Sequence, residues 1–329
     1  MDWGNRKDIL VFLEQKEHKV VSAGLEALTP ANVLAKLTGG HVLTLLIGTD
    51  NSSAAEKAAV YCDRVLSVED SVFEDGCSDS LTYALEAIVD KYMPAAVLAG
   101  TTSLGRELTA RLSARLCLGS VQDAIALKTE GSQILWTVPV YGGTILNDVV
   151  VTTAPMVITV RPGAFSKPEM GPASAVTVET VRIPDDAVKT KVTKTVKEIS
   201  DAVNLEDAKV IVTGGRGMGS KENFTMVEEL AQLLGGVVGA TRPAIEESWV
   251  SRAHQVGQSG KVVAPALYIA CGVSGATQHV SGMSGSGYIV AINKDEEAPI
   301  FDVADIGIVG DAMQVLPVMI EEIRKRKSE

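Results

Sequence analysis

Short apolar runs alternate with stretches of helical periodicity along the first part of the chain. "DILVFLE", "HVLTLLIG", "RVLSVE" and "AAVLAG" read as strands, and the segments near "SAAEKAAVYC" and "SDSLTYALEAIVDKY" read as helices. A further helix is predicted to open at Thr29 and Pro30, with threonine as N-cap and proline at the first helical position. This alternation predicts an α/β fold with a mostly parallel sheet covered on both faces. After "GTTSLGRELTARLSARLCLG" the pattern changes to strand-like stretches without helices, "DAIALKT", "ILWTVPVYGG" and "DVVVTTAPMVITVRPGAF". These are expected to be extra, mostly antiparallel strands that finish the first domain.

The run from 185 to 207 is polar, charged and free of aromatics, a composition that suits an interdomain connection, part of which could add an edge strand. The second half then repeats the strand–helix rhythm: "AKVIVTGG", a helix over "KENFTMVEELAQLLG", "GVVGATR", "ALYIACG", a helix after Gly272, "YIVAIN", "IGIVGD" and a final helix near "AMQVLPVMIEEIRKRK". Domains are therefore expected over 1–190 and 207–329, with a linker over 191–206. The second is expected to be a doubly wound parallel sheet, which binds ligands beyond the carboxyl ends of its strands. Every polar, glycine-rich cluster of this half falls at that edge.

Composition narrows the class. The 329 residues suffice for two domains, and 46% hydrophobic with 22% charged residues marks a globular chain. Net charge is −11 and the one dense basic run, Arg324 to Lys327, closes a helix, which argues against nucleic-acid binding. No apolar stretch is long enough to span a bilayer, and the N-terminus lacks the apolar core of a secretory signal, so the chain is expected to start at or near Met1 and to be cytoplasmic. Cys62, Cys77, Cys117 and Cys271 have neither zinc-ligand nor iron–sulfur spacing; free thiols in a reducing compartment are expected, with no metal site.

Three clusters carry chemistry. "GGRGMGS" spaces Gly215, Gly217 and Ser220 loosely like a dinucleotide fingerprint, but the next strand ends in Thr241 and Arg242, not in an acid. An ordinary turn is one reading; Arg216 among flexible amides suits an anion, which is the other. "ACGVSGATQH" joins an apolar strand to glycines and to Ser274, a plausible N-cap for a helix whose early turns hold His279. Such a junction is either punctuation or a place where ligand meets backbone. Gly257, Gln258, Ser259 and Gly260 form a third polar turn before the same strand.

The stretch "ALYIACGVSGATQHVSGMSGSGYIVAINKDEEAPIFDVADIGIVGDAMQVLP" resembles the signature region of the alpha subunit of electron-transfer flavoprotein. "VTGGRG", "GATRP", "VGQSGKVVAP", "TTSLGRELTARLSARL" and "VYGG" extend the resemblance over essentially the whole chain, most specifically over 209–317. It implies a heterodimer with a beta subunit, an N-terminal α/β domain and a C-terminal FAD-binding domain. It also implies an electron carrier that serves flavin dehydrogenases such as acyl-CoA dehydrogenase and holds no catalytic residue of its own. Bifurcating members take electrons from NADH and split them between ferredoxin and an acyl-CoA dehydrogenase or similar enzyme.

Carried over position by position, the implied FAD contacts are Arg216, Thr241 and Arg242; Val256, Gly257, Gln258 and Ser259; Ser274, Gly275, Ala276, Thr277, Gln278 and His279; Asn293; and Asp311 with Ala312. His279 and the helix start near Ser274 are assigned to the flavin N1 and C2 carbonyl, where reduction gathers negative charge and could protonate the imidazole. Arg242 is assigned to the ring system, the Ser259 hydroxyl to N5, and Asn293 and Asp311 to the ribose and adenosine end. Family members often carry threonine at 259 and serine at 241; both exchanges keep the hydroxyl.

Overall fold

The computed structural model describes residues 5–131, 133–194 and 205–328. The chain divides into two compact units, Met1–Val140 with Thr144–Val196, and Tyr141–Gly143 with Lys197–Glu329.

The first unit opens with β1 (Ile9–Phe12), a short pair β2 (Gln15–Lys16) and β3 (Lys19–Val20), then α1 (Ser22–Glu26) and α2 (Leu28–Thr38). It continues with β4 (Val42–Gly48), α3 (Ser52–Ala59), β5 (Arg64–Glu69), α4 (Ser78–Tyr92), β6 (Ala96–Gly100) and α5 (Ser103–Leu116). Six strands follow: β7 (Ser120–Ala124), β8 (Ala126–Glu130), β9 (Gln133–Val140), β10 (Ile145–Val149), β11 (Met156–Val160) and β12 (Ala175–Glu179). Seven strands form one parallel sheet in the order β12-β5-β4-β1-β6-β11-β7. Every residue of β1, β6 and β11 is buried, as expected where helices cover both faces and the apolar run is continuous.

The extra strands are mostly antiparallel, as expected: β8, β9 and β10 form a small antiparallel sheet, while β7 and β11 extend the parallel one. Two expectations need correction here. One edge strand is β12, paired in parallel with β5, whereas the described part of 185–207 contributes no strand, only short turns at Asp185–Ala187 and 206–207; residues 195–204 lie outside the described residues. Thr29 does not cap a helix. It sits inside α2 and donates to the Ser166 carbonyl at 2.6 Å, because helical hydrogen bonds run on through Ala27, from its own N–H to Ala23 and from Ala31 back to it.

The second unit contains β13 (Val210–Gly214), α6 (Phe224–Leu233), β14 (Val237–Ala240), α7 (Arg242–Glu246), β15 (Leu267–Cys271), α8 (Thr277–Val280), β16 (Ile289–Asn293), β17 (Ile306–Val309) and α9 (Ala312–Ser328). All five strands are parallel in the order β14-β13-β15-β16-β17, so the strand order reverses between β13 and β15. One face carries Val212, Ile269 and Ile292 against Phe224 and Val227 of α6 and Leu316 and Ile320 of α9. Gly214 lets this face close: a Cβ there would stand 2.3 Å from the Phe224 ring. The other face carries Ile211, Tyr268, Ala270 and Ala291, packed with Val256, Met283 and Ile300 from irregular segments. That coiled layer, more than any helix, shapes the rim.

Candidate functional site

Backbone hydrogen bonds stitch the loops beyond the strand ends into one rim. At the reversal point Gly215 N–H donates to Cys271 O and Gly217 N–H to Gly272 O, both at 2.9 Å. This approach demands glycine: a Cβ on Gly215 would lie 2.3 Å from Gly272 O, and Gly272 itself has φ of 61°. Thr241 N–H donates to Gly214 O, and Val256 N–H to Ala240 O. Gln258 N–H donates to Gln278 O at 2.7 Å, joining the 256–260 loop to α8. Asn293 spans the far side, its Nδ2 donating to Val273 O while its Oδ1 accepts from Asp295 N–H; Gly310 N–H donates to Asn293 O. Asp311 accepts from Met313 N–H at the start of α9, whose first residue, Ala312, is buried. All the loops named from the sequence therefore meet at the carboxyl edge of this sheet.

The groups on this rim differ in availability. Arg216, Gln258, Ser274, Ala276, Thr277 and Gln278 are exposed, while Gly257 and Gly275 are buried beneath them. Arg242 is exposed but paired with Glu246 one turn on, at 2.7 Å. Ser259 Oγ accepts from Gln255 Nε2 at 2.9 Å, which leaves its own proton to donate elsewhere. Thr241 is buried, and its Oγ1 has no hydrogen-bond partner among the described residues. A buried hydroxyl left unpaired costs about 1–3 kcal/mol, so an acceptor or donor arriving at this rim recovers what the chain alone forgoes.

Two assignments change. The helix expected to start at Ser274 is a single turn, Thr277–Val280, with Ala276 at its N-cap position and no side-chain cap. Gly275 explains the delay: its φ of 86° is not helical, a Cβ there would lie 2.1 Å from Ile300 N, and the Ser274 carbonyl already accepts from Ile300 N–H. One turn carries little macrodipole, so the rim offers individual N–H groups and not a helix end.

His279 changes more. It is buried, with Nδ1 at 3.1 Å from Val256 O and Nε2 at 2.9 Å from the Tyr268 hydroxyl. A carbonyl only accepts, so Nδ1 carries the proton; the neutral ring then accepts from Tyr268 at Nε2. Burial lowers the imidazole to about 4, with the Val256 hydrogen bond acting the other way. Both ring nitrogens are thus used inside the chain, and His279 offers no free N–H to an anion. The sequence pattern missed Tyr268 because a tyrosine in an apolar strand reads as core, and it signals a partner only once His279 is seen above it.

Two comparisons bear on this geometry. Residues 9–186 match the family model described as electron transfer flavoprotein domain, and residues 204–284 match the electron transfer flavoprotein FAD-binding domain. An electron transfer flavoprotein subunit alpha of Thermoanaerobacterium thermosaccharolyticum is 40% identical, covering 98% of this chain and 99% of that protein. One of the same description from Bacillus subtilis is 37% identical over 97% and 98%. The acryloyl-CoA reductase electron transfer subunit beta of Anaerotignum propionicum is 34% identical over 99% and 98%. The match over both units and over nearly the full length of these relatives settles the family: the chain belongs to the electron transfer flavoprotein alpha subunits.

Proposed function

We propose that this chain is the alpha subunit of a two-chain electron transfer flavoprotein that binds FAD along the rim of its second unit and passes electrons between flavin dehydrogenases and further redox partners. The observation that carries the reading is the unpaired buried hydroxyl of Thr241, set in a rim whose sequence matches a family model described as FAD-binding. The donor set suits the group. Arg216 and Arg242 bring cationic charge for the diphosphate and the reduced ring, and the exposed Gln258, Ser274 and Gln278 supply uncharged donors. The spare proton of Ser259 suits a ring nitrogen such as N5. Asn293 and Asp311, at the ends of β16 and β17, suit the ribose and adenosine end, as the family resemblance implies.

FAD, when bound, supplies reversible acceptance of one or two electrons. The chain's own part is to orient and to set charge. Gly257, with φ of 136°, brings backbone close to the rim where a Cβ would stand 2.9 Å from Gln278 O. Arg242 holds a charge that does not titrate, and its loose pairing to Glu246 across solvent leaves it free to turn toward a ligand.

The partners are proposed on narrower grounds. The Anaerotignum relative is named electron transfer subunit beta of an acryloyl-CoA reductase, which supports a CoA-thioester dehydrogenase as one partner, and the relatives named subunit alpha support a second, differently named subunit as the other chain. The domain limits 1–190 and 207–329, joined by 191–206, are proposed as the folding units. A cytoplasmic setting is supported by four free cysteines. Co-expression with the beta subunit tests the core of the reading: a yellow complex that releases FAD on denaturation is expected, and a colourless one overturns it. Counting flavins per complex then sorts the carrier, with one FAD, from a bifurcating type, with two.

A further inference from the structure

Gln255 stands just before the turn that carries Ser259 and, unlike Gln258 and Ser259, it is buried, at 5% exposure. A buried amide is costly unless it is bonded, and its Nε2 donates to Ser259 Oγ at 2.9 Å. Backbone contacts fix where this side chain starts. Gln255 N–H donates to Arg252 O at 3.1 Å, its carbonyl accepts Lys261 N–H at 2.8 Å, and the next N–H, of Val256, donates to Ala240 O at the end of β14. The turn then doubles back onto the same residue. Gly260 N–H donates to Gly257 O, and a Cβ on Gly260 would lie 2.4 Å from Gln255 O and 2.9 Å from its Cγ.

Ser259 itself is exposed and unbranched, so its hydroxyl alone would be spread over three staggered wells. The Gln255 amide selects the well that brings Oγ within reach of Nε2. Because the oxygen accepts in that contact, the hydroxyl proton is turned away from the amide. The reverse bond, from Ser259 O–H to Gln255 Oε1, would spend the proton inside the turn and leave none for the rim.

We propose that Gln255 is a positioning residue for the flavin, holding Ser259 in the one rotamer whose O–H points out of the turn at the ring nitrogen N5. This rests on the flavin reading above. Gln255 acts through Ser259 alone: no bond is made or broken, and the serine keeps its proton. A donor held at N5 favours the electron density that the ring gains on reduction, so the aim of one hydroxyl sets part of the flavin potential.

Two measurements test the role. In nitrogen-15 spectra of the full chain without flavin, one Gln255 Nε2 proton is expected downfield of its position in Ser259→Ala; a pair that does not respond overturns the contact. In the FAD-loaded complex with the beta subunit, Ser259→Ala is expected to lower the potential for the first electron by about tenfold in the equilibrium, about 60 mV. Gln255→Met keeps length and loses the donor, which frees three wells and lowers the same potential about threefold, about 30 mV. In the double variant, Gln255→Met adds nothing to Ser259→Ala. Equal potentials in wild type and Gln255→Met, or one Gln255→Met shift with and without the Ser259 hydroxyl, overturn the proposal. The amide shift decides alone if the methionine variant does not fold. A colourless complex sinks the flavin reading whatever the amide shows, and a yellow complex with an unresponsive amide or additive potentials sinks the role of Gln255 alone.

Discussion

Val256 O accepts the Nδ1–H of His279 at 3.1 Å, so the loop bearing Gln258 and Ser259 is fastened to the turn bearing Thr277 and Gln278 by a side chain that is itself buried. The fastening is pH-sensitive in one direction. The folded imidazole is lowered to about 4 and the unfolded one titrates at 6.5. Between these values the unfolded chain binds a proton that the folded chain refuses, so stability is full above 6.5 and is lost as pH falls toward 4. The loss amounts to about 3 kcal/mol. Urea unfolding of the second unit's transition at pH 7 and pH 5 reads about 2 kcal/mol of this loss, and His279→Gln is expected to remove most of the pH dependence. An unchanged slope in that variant assigns the acid sensitivity elsewhere.

Thr241→Val should separate stability from binding. The exchange keeps shape and removes the unpaired buried hydroxyl, so the chain without flavin is expected to be equally stable or more stable, by up to about 1 kcal/mol. Flavin affinity of the complex should fall by roughly a factor of ten, the worth of one hydrogen bond. Calorimetry of the chain and flavin titration of the stripped complex give the two numbers. Loss of stability in the valine variant means that the hydroxyl is satisfied inside the protein.

How much of this was legible beforehand depends on the range of the interaction. The five strands of the second unit follow from local apolar runs, and the convergence of their loops follows from parallel pairing alone, so Arg216, Thr241, Gly257, Ser274, Asn293 and Asp311 share an edge in sequence and structure alike. Ser274 was misread as a cap because capping is a local signal, whereas the contact between Gly275 and Ile300 that delays the helix spans a gap that no local pattern shows. The role of Tyr268 needed a cross-layer distance of 2.9 Å to His279. In the first unit, which of the late strands would join the parallel sheet was not legible for the same reason: strand direction is set by which neighbour is reached, and composition is silent on that.

Gly275→Ala should act on the rim and leave the first unit alone. Alanine at φ of 86° is strained, and its Cβ would stand 2.1 Å from Ile300 N, so backbone must move. Strain and displacement together are expected to cost about 2–4 kcal/mol in the unfolding of the second unit. Flavin content of the purified complex should fall in parallel. Wild-type stability in this variant would show that the 299–303 turn yields freely.

Arg242→Ala asks whether charge at the rim works through binding or through folding. Among the described residues its ion pair is the exposed one with Glu246, worth a few tenths of a kcal/mol, so chain stability should change by less than about 0.5 kcal/mol. The bound flavin loses a fixed positive neighbour, and its potential is expected to fall on the order of 30 mV, a factor of ten for a two-electron couple. Glu246→Gln should move the potential the other way, since it frees the same guanidinium. Redox titration of the three complexes under one buffer decides the matter. Equal potentials in all three remove Arg242 from the ring and leave it an ordinary surface pair.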